Sequence, residues 1–214
     1  MYILNIFKEL SKGFSTTFLI FLLTLILSIP LGMIIYFLKH SKNKIISSIT
    51  KIYITVMRGT PLMLQLMFVF YGPFYIFGMR SPDRFFAVIV AFVLNYAAYF
   101  AEIYRGGFKS IDKGQYEAAN ILGLTKWQTY KNIVIPQVFK NSLPAMTNEI
   151  ITLVKDTSLA FAISVTETFT LAKSIANRDS NMLAFLAVGI FYFVFNYLVE
   201  KIMNKIENRY NYYR

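Results

Sequence analysis

The sequence predicts an all-α, polytopic membrane protein with five transmembrane helices and one long cytoplasmic loop. Three observations carry that prediction. Hydrophobic residues make up 56 % of the 214-residue chain and charged residues only 15 %, against about 45–50 % and about 25 % in soluble domains. The apolar residues are gathered into runs long enough to cross a bilayer. The lysines and arginines are gathered between particular runs, as in membrane proteins whose basic loops stay in the cytoplasm.

Phe14 to Leu38 gives 25 consecutive uncharged residues, where a spanning helix needs roughly 17–25. The run is too long for a signal-peptide core and has no A-x-A-like exit, so it reads as a span. Gly59 to Met79 gives 21 uncharged residues, Phe85 to Ala101 gives 17 and Ser180 to Val199 gives 20. A fifth segment, Leu143 to Val165, is mostly apolar but carries Glu149, Lys155 and Asp156. Hydropathy alone leaves it open, and topology decides it. Lys39, Lys42, Lys44 and Lys51 follow the first run. Arg105, Lys109, Lys113, Lys126, Lys131 and Lys140 follow the third, and Lys201, Lys205, Arg209 and Arg214 follow the last. The other links hold only Lys8, Lys12, Arg80, Arg84, Lys173 and Arg178. With five spans, the N-terminus outside and the C-terminus cytoplasmic, all three rich segments fall on one side. With four spans, one of them must change sides. The chain therefore reads as one domain, 1–214, with spans at about 14–38, 55–79, 85–104, 143–165 and 180–200 and a loop at about 105–141.

Composition also excludes chemistry. No cysteine and a single histidine, His40, leave no disulfide framework, no thiol or zinc-cysteine enzyme, no metal site and no Ser/His/Asp set. His40 lies in a basic link and reads as a solvated interface residue. The net charge of +11 is accounted for by orientation and by anionic membrane lipid, and calls for no nucleic acid. A phosphate-binding G-x-x-x-x-G-K-[ST] loop is also missing, since no Gly-Lys dipeptide occurs in the chain.

The loop is long for a plain connector and reads as two short helices with a break. Tyr116 to Ile121 contains good helix formers, with Glu117, Ala118 and Ala119 in the first turn. Gly123 interrupts, and Thr125 to Val134 reads as a second helix. Thr125 suits its N-cap, and Pro136 should end or kink it. Trp127, Tyr130 and Val134 fall on one apolar face. That face can pack on the chain's own span ends, lie among lipid headgroups, or enter a partner's groove. Taken alone, Glu117 reads as a solvated acid near a helix start.

The order Glu117-Ala118-Ala119, Gly123, Ile133-Val134-Ile135-Pro136 resembles the EAA motif of ABC-importer permeases, which is EAA, three residues, Gly, nine residues, then I-x-L-P. Ile135 stands where leucine is usual. Arg58-Gly59-Thr60-Pro61-Leu62, Ala101-Glu102-Ile103-Tyr104-Arg105-Gly106-Gly107 and Lys155-Asp156-Thr157-Ser158-Leu159 resemble runs of the polar amino acid permeases, the histidine, arginine, glutamine and cystine type. The likeness covers about 14–209. It implies that Glu117, Ala118, Ala119, Gly123 and Pro136 belong to a coupling helix seated on a separate cytoplasmic ATPase. It also implies two ATPase copies holding ATP-Mg, with no cofactor in this chain. The further partners are a second permease subunit, identical or related, and an extracytoplasmic solute-binding protein delivering a polar amino acid. The location implied is the cytoplasmic membrane of a bacterium. Links 80–84 and about 166–180 would receive the binding protein.

Ionisable groups inside spans mark pathways. Glu149 and Asp156 are seven residues apart, within about 20° of two full turns, so both carboxylates share one helix face with Thr152 between them. Such a face suits the ammonium of an amino acid. The other reading puts Glu149 at the membrane surface and pairs Asp156 with Lys155 or Arg58. Asn95, mid-run in the third span, is a further polar candidate, equally suited to an interhelical hydrogen bond. Arg58 is expected to snorkel beside the Gly-Thr-Pro break. A carrier or channel driven by an ion gradient is the competing function, and a purely structural scaffold a third. The acidic face would suit a carrier, while the EAA spacing and the lack of a visible inverted repeat stand against it.

Overall fold

The first apolar run lies inside a helix longer than itself. In the computed structural model, which describes residues 2–210, α1 spans Tyr2–Lys39. Arg214, counted above among the basic residues of the tail, lies outside the described residues. Helix α2 (Lys44–Gly59) starts at Asn43, whose side-chain oxygen accepts from the Ile45 and Ile46 amides. It is followed by α3 (Leu62–Phe77), α4 (Arg84–Lys109), α5 (Lys113–Ile121) and α6 (Lys126–Thr129). A π turn over Tyr130–Val134 leads into α7 (Ile135–Asp156), and a 3-10 segment over Thr157–Ile163 follows. The described residues end in α8 (Thr168–Asp179) and α9 (Leu183–Tyr210).

Helices α1, α4 and α9 are each long and apolar enough to cross a membrane. Two bent pairs bring the crossings to five if each pair is one: α2 with α3, at 111°, and Lys126–Ile163 with α8, at 57°. One expectation needs correction here and another is narrowed. Residues 55–79 do not form one straight helix, because Thr60-Pro61 turns the chain sharply. Pro61 is extended (φ −62°, ψ 132°) and stands just ahead of α3, where its missing N–H costs nothing. Of the two outcomes expected at Pro136, an end or a kink, the helix does not end there. The Ile135 amide reaches back five residues to the Tyr130 carbonyl, and this widened turn makes room for the proline ring. Helix therefore runs from Lys126 into α7 with no loop between.

The core is built where α1 lies along α4, with α3, α7 and α9 around them. Tyr96, Phe92 and Phe100 of α4 are its largest buried side chains. At the far end from the loop, α1 crosses the start of α8 in very close contact. A Cβ at Gly13 would stand 2.7 Å from the backbone carbon of Glu167 and the nitrogen of Thr168. Backbone cannot swing aside as a side chain does. Gly13→Val is therefore expected to cost about 2 kcal/mol, the range of core overpacking. Thermal unfolding in detergent checks it: an unchanged Tm would mean that α1 and α8 separate freely.

Candidate translocation path and coupling loop

The α2–α3 elbow is held by side-chain amides. Gln65 Nε2 donates to the Met57 carbonyl at 2.9 Å, the Thr60 carbonyl at 3.1 Å and Thr60 Oγ1 at 2.8 Å. Asn95 Nδ2 donates to the same Met57 carbonyl and to Gln65 Oε1, each at 2.9 Å. The Asn95 amide nitrogen is thus spent on fastening α4 to the elbow, the interhelical bond that the sequence offered as its other reading. Broken backbone at membrane depth leaves unpaired carbonyls, and these two amides supply the missing donors.

Glu149 and Asp156 both lie on α7, so their spacing puts them on one face as helix geometry requires. The structure gives them different surroundings. Asp156 Oδ2 accepts from the Tyr96 hydroxyl at 2.7 Å, from a tyrosine whose ring is wholly buried in α4. It pairs with neither Lys155 nor Arg58 among the described residues. Thr152 turns its hydroxyl back onto the Asn148 carbonyl at 3.0 Å. Glu149 is half-buried and has no hydrogen-bond or ion-pair partner among the described residues. Of the predicted face, it alone offers a free carboxylate.

The loop differs from its expected form in two details. Helix α5 begins at Lys113, capped by Asp112, whose carboxylate accepts from the Gly114 amide at 2.6 Å. Glu117 therefore sits a turn further along, exposed, and Asp112 is the acid at the helix start. Thr125 is an N-cap as expected, in a reciprocal box with Gln128. The predicted apolar face divides, because the π turn shifts its register. Val134 is fully buried, Tyr130 is 38 % exposed and Trp127 is 71 % exposed. Ile121 and Leu122 are also exposed. Between the two helices Gly123 holds φ +73°, and Leu124 N donates to the Ala119 carbonyl at 3.0 Å. That six-to-one closure demands a left-handed residue. The motif thus forms a compact turn carrying unpaired apolar side chains at its tip.

A family model described as the binding-protein-dependent transport system inner membrane component matches residues 28–212. The chain belongs to this family. It is a multi-pass membrane permease of an ABC importer, a class in which ATP hydrolysis resides on a separate ATPase subunit and the permease works beside a partner permease. The arginine transport system permease ArtQ of Bacillus subtilis is 36 % identical over 199 residues, covering 92 % of this chain and 90 % of that one. The probable amino-acid permease YxeN of the same organism is 33 % identical over 208 residues, covering 96 % and 93 %. A crystal structure of an amino acid ABC transporter with histidines superposes with a TM-score of 0.87 at 32 % identity, covering 94 % of each chain. The methionine transporter MetNI, at 18 % identity and a TM-score of 0.72, shares the fold.

Two acids of this permease have roles that the sequence reading did not give. Glu102 in α4 is an ion-pair hub. It pairs with Lys39 of α1, with Arg105 Nε at 2.6 Å, and with Arg58 Nη1 at 3.6 Å. Arg58 also stands 5.4 Å over the Tyr99 ring, so its charge is held at the bundle end instead of reaching Asp156. The i, i+3 spacing to Arg105 was a readable signal for this hub. Glu167 is fully buried. It caps α8 by accepting from the Phe169 and Thr170 amides at 2.7 and 2.6 Å, and it accepts from Tyr192 of α9 at 3.1 Å. Thr17 of α1 lies 3.5 Å away. Glutamate is not among the favoured capping residues, so no local rule pointed to it.

Proposed function

We propose that this permease carries a polar amino acid inward, with the free Glu149 carboxylate as the group that meets the substrate's ammonium. The observation that carries the reading is that Glu149 lies half-buried on the α7 face beside Asp156 with no partner of its own. A half-buried carboxylate without a partner is costly, and a cationic ligand group would offset that cost. The relatives that match most of the chain, named for amino acid, arginine and cystine transport, support the substrate class. Asp156, oriented by Tyr96, would add a second negative oxygen, and Asn95 would keep the elbow beside it in register.

In this reading the N-terminus is outside and the C-terminus is cytoplasmic, in a bacterial cytoplasmic membrane. A solute-binding protein docks on the links at 80–84 and about 166–180. Glu117, Ala118, Ala119, Gly123 and Pro136 form the unit that meets the ATPase, where ATP-Mg is held; this chain holds no cofactor.

Proteoliposomes with this chain, an ATPase and a binding protein, all ion gradients collapsed and ATP trapped within, test the proposal. Uptake of a labelled amino acid that requires ATP is the expected result. Glu149→Gln is expected to lower it by roughly tenfold or more, the worth of a hydrogen bond to a charged group, with assembly unchanged. Unaltered uptake in Glu149→Gln sinks that site. Uptake driven by a proton or sodium gradient without ATP replaces the importer by a carrier.

A further inference from the structure

At the loop end of the bundle, a cavity of about 420 Å3 opens between three distant parts of the chain. Tyr36 and His40 reach it from the end of α1, and Arg105 and Lys109 from the end of α4. Tyr116 of α5 and Tyr130 of the π turn close it from the loop side. Its walls are one stacked and one edge-to-face pair of rings. Tyr36 lies 4.4 Å from Phe108 at an interplanar angle of 3°, and Tyr130 lies 6.2 Å from Tyr116.

The three tyrosine hydroxyls, Arg105 and Lys109 all present donors to this space. The hydroxyls of Tyr36, Tyr116 and Tyr130 have no hydrogen-bond partner among the described residues. Lys109 forms no ion pair there either. Arg105 commits Nε to Glu102, which leaves its two terminal nitrogens. His40 places Nδ1 2.9 Å from the Tyr36 carbonyl, so Nδ1 is the donor there and Nε2 of the neutral ring is an acceptor. No aspartate or glutamate lines the cavity. Burial, and after it the neighbouring Tyr130, push the Tyr116 phenol upward, so this hydroxyl keeps its proton at neutral pH.

Five donor groups around one space, two of them cations, and no carboxylate among them, call for an anion with several oxygens. A carboxylate presents two. A phosphate presents three or four, and arginine and lysine are its usual partners. We propose that this cavity is a binding site for a phosphate group, either the headgroup phosphate of an anionic phospholipid or free phosphate. Because it joins the ends of α1 and α4 to α5 and the π turn, an occupant fastens the loop to the spans. The lipid source rests on the orientation proposed above, which puts this end at the cytoplasmic leaflet, where basic pockets between helices meet anionic headgroups.

The test uses the intact transporter complex, purified from membranes. Native mass spectrometry counts phosphatidylglycerol retained against phosphatidylcholine, and equilibrium dialysis of the delipidated complex measures labelled inorganic phosphate. Tyr116→Phe keeps the ring and removes one donor. Lys109→Gln removes the cation that has no ion pair. Each is expected to lower binding by roughly fivefold to tenfold, while Lys126→Gln, away from the cavity, leaves it unchanged. Preferential retention of phosphatidylglycerol that inorganic phosphate does not displace identifies the lipid source. Direct binding of inorganic phosphate, lost in the same two variants, identifies the free ion. Equal retention of the two lipids with no phosphate binding overturns the site, as does an equal loss in Lys126→Gln. None of these readouts requires transport, so a failed uptake assay and a failed binding assay remain distinct.

Discussion

Glu167→Ala is expected to lower the stability of the solubilised permease by about 3 kcal/mol. The carboxylate is fully buried and accepts from two backbone amides and the Tyr192 hydroxyl. Removing it strands the Phe169 and Thr170 amides at the start of α8 and the Tyr192 hydroxyl on α9. A buried donor left without a partner costs about 1–3 kcal/mol, and part of that is recovered where water enters the gap. For a chain of this size the loss is roughly 6–12 °C in Tm, measured by thermal unfolding in detergent. Glu167→Gln should fall between alanine and wild type, since one oxygen can still accept while the new NH2 faces the amide donors. A Glu167→Ala protein as stable as wild type would show that α1, α8 and α9 are held by apolar packing alone.

The contrast between Glu149 and Glu167 shows what hydropathy and charge patterns can and cannot report. Glu149 was legible because it interrupts an apolar run, and its spacing to Asp156 is a property of any α-helix. Glu167 stands in a link, where an acid is unremarked, and the partners that join it to α1 and α9 are 150 and 25 residues away in sequence. The spans follow the same division. Runs of uncharged residues locate the apolar segments, because transfer energy sums over residues whatever their geometry. The 111° elbow is invisible to that sum, although Gly59-Thr60-Pro61 was noted as a break. The π turn was hidden for a related reason. Pro136 reads as a stop or a kink when an α-helix is the only alternative, and a widened turn is a further way to accommodate its ring. Trp127 was placed on one face with Val134 by a 3.6-residue period that the π turn does not keep. Tyr96 as the partner of Asp156 depends on how α4 packs on α7, which no local pattern encodes.

Substitution at Gly123 is expected to give the largest functional effect, and a series of side chains separates two causes. At φ +73° a β-branched residue is a conformational outlier, at a cost of about 2 kcal/mol. That is roughly a 30-fold loss in the population of the observed turn. The strain is local, since a Cβ at Gly123 meets nothing within 4 Å in this chain. The turn should therefore rearrange while the bundle keeps its Tm. Under the proposed coupling role, Gly123→Val leaves the ATPase bound to a misformed tip, and ATP-driven uptake falls by more than tenfold while membrane insertion is unaffected. Asparagine tolerates the left-handed region, so Gly123→Asn should retain most uptake and Gly123→Ala should fall between. That order is the signature of backbone strain. If Gly123→Asn is instead as inactive as Gly123→Val, the requirement is for space, and the glycine is there because the ATPase backbone approaches the turn. Full uptake in Gly123→Val would remove the turn, and with it the EAA segment, from the coupling path.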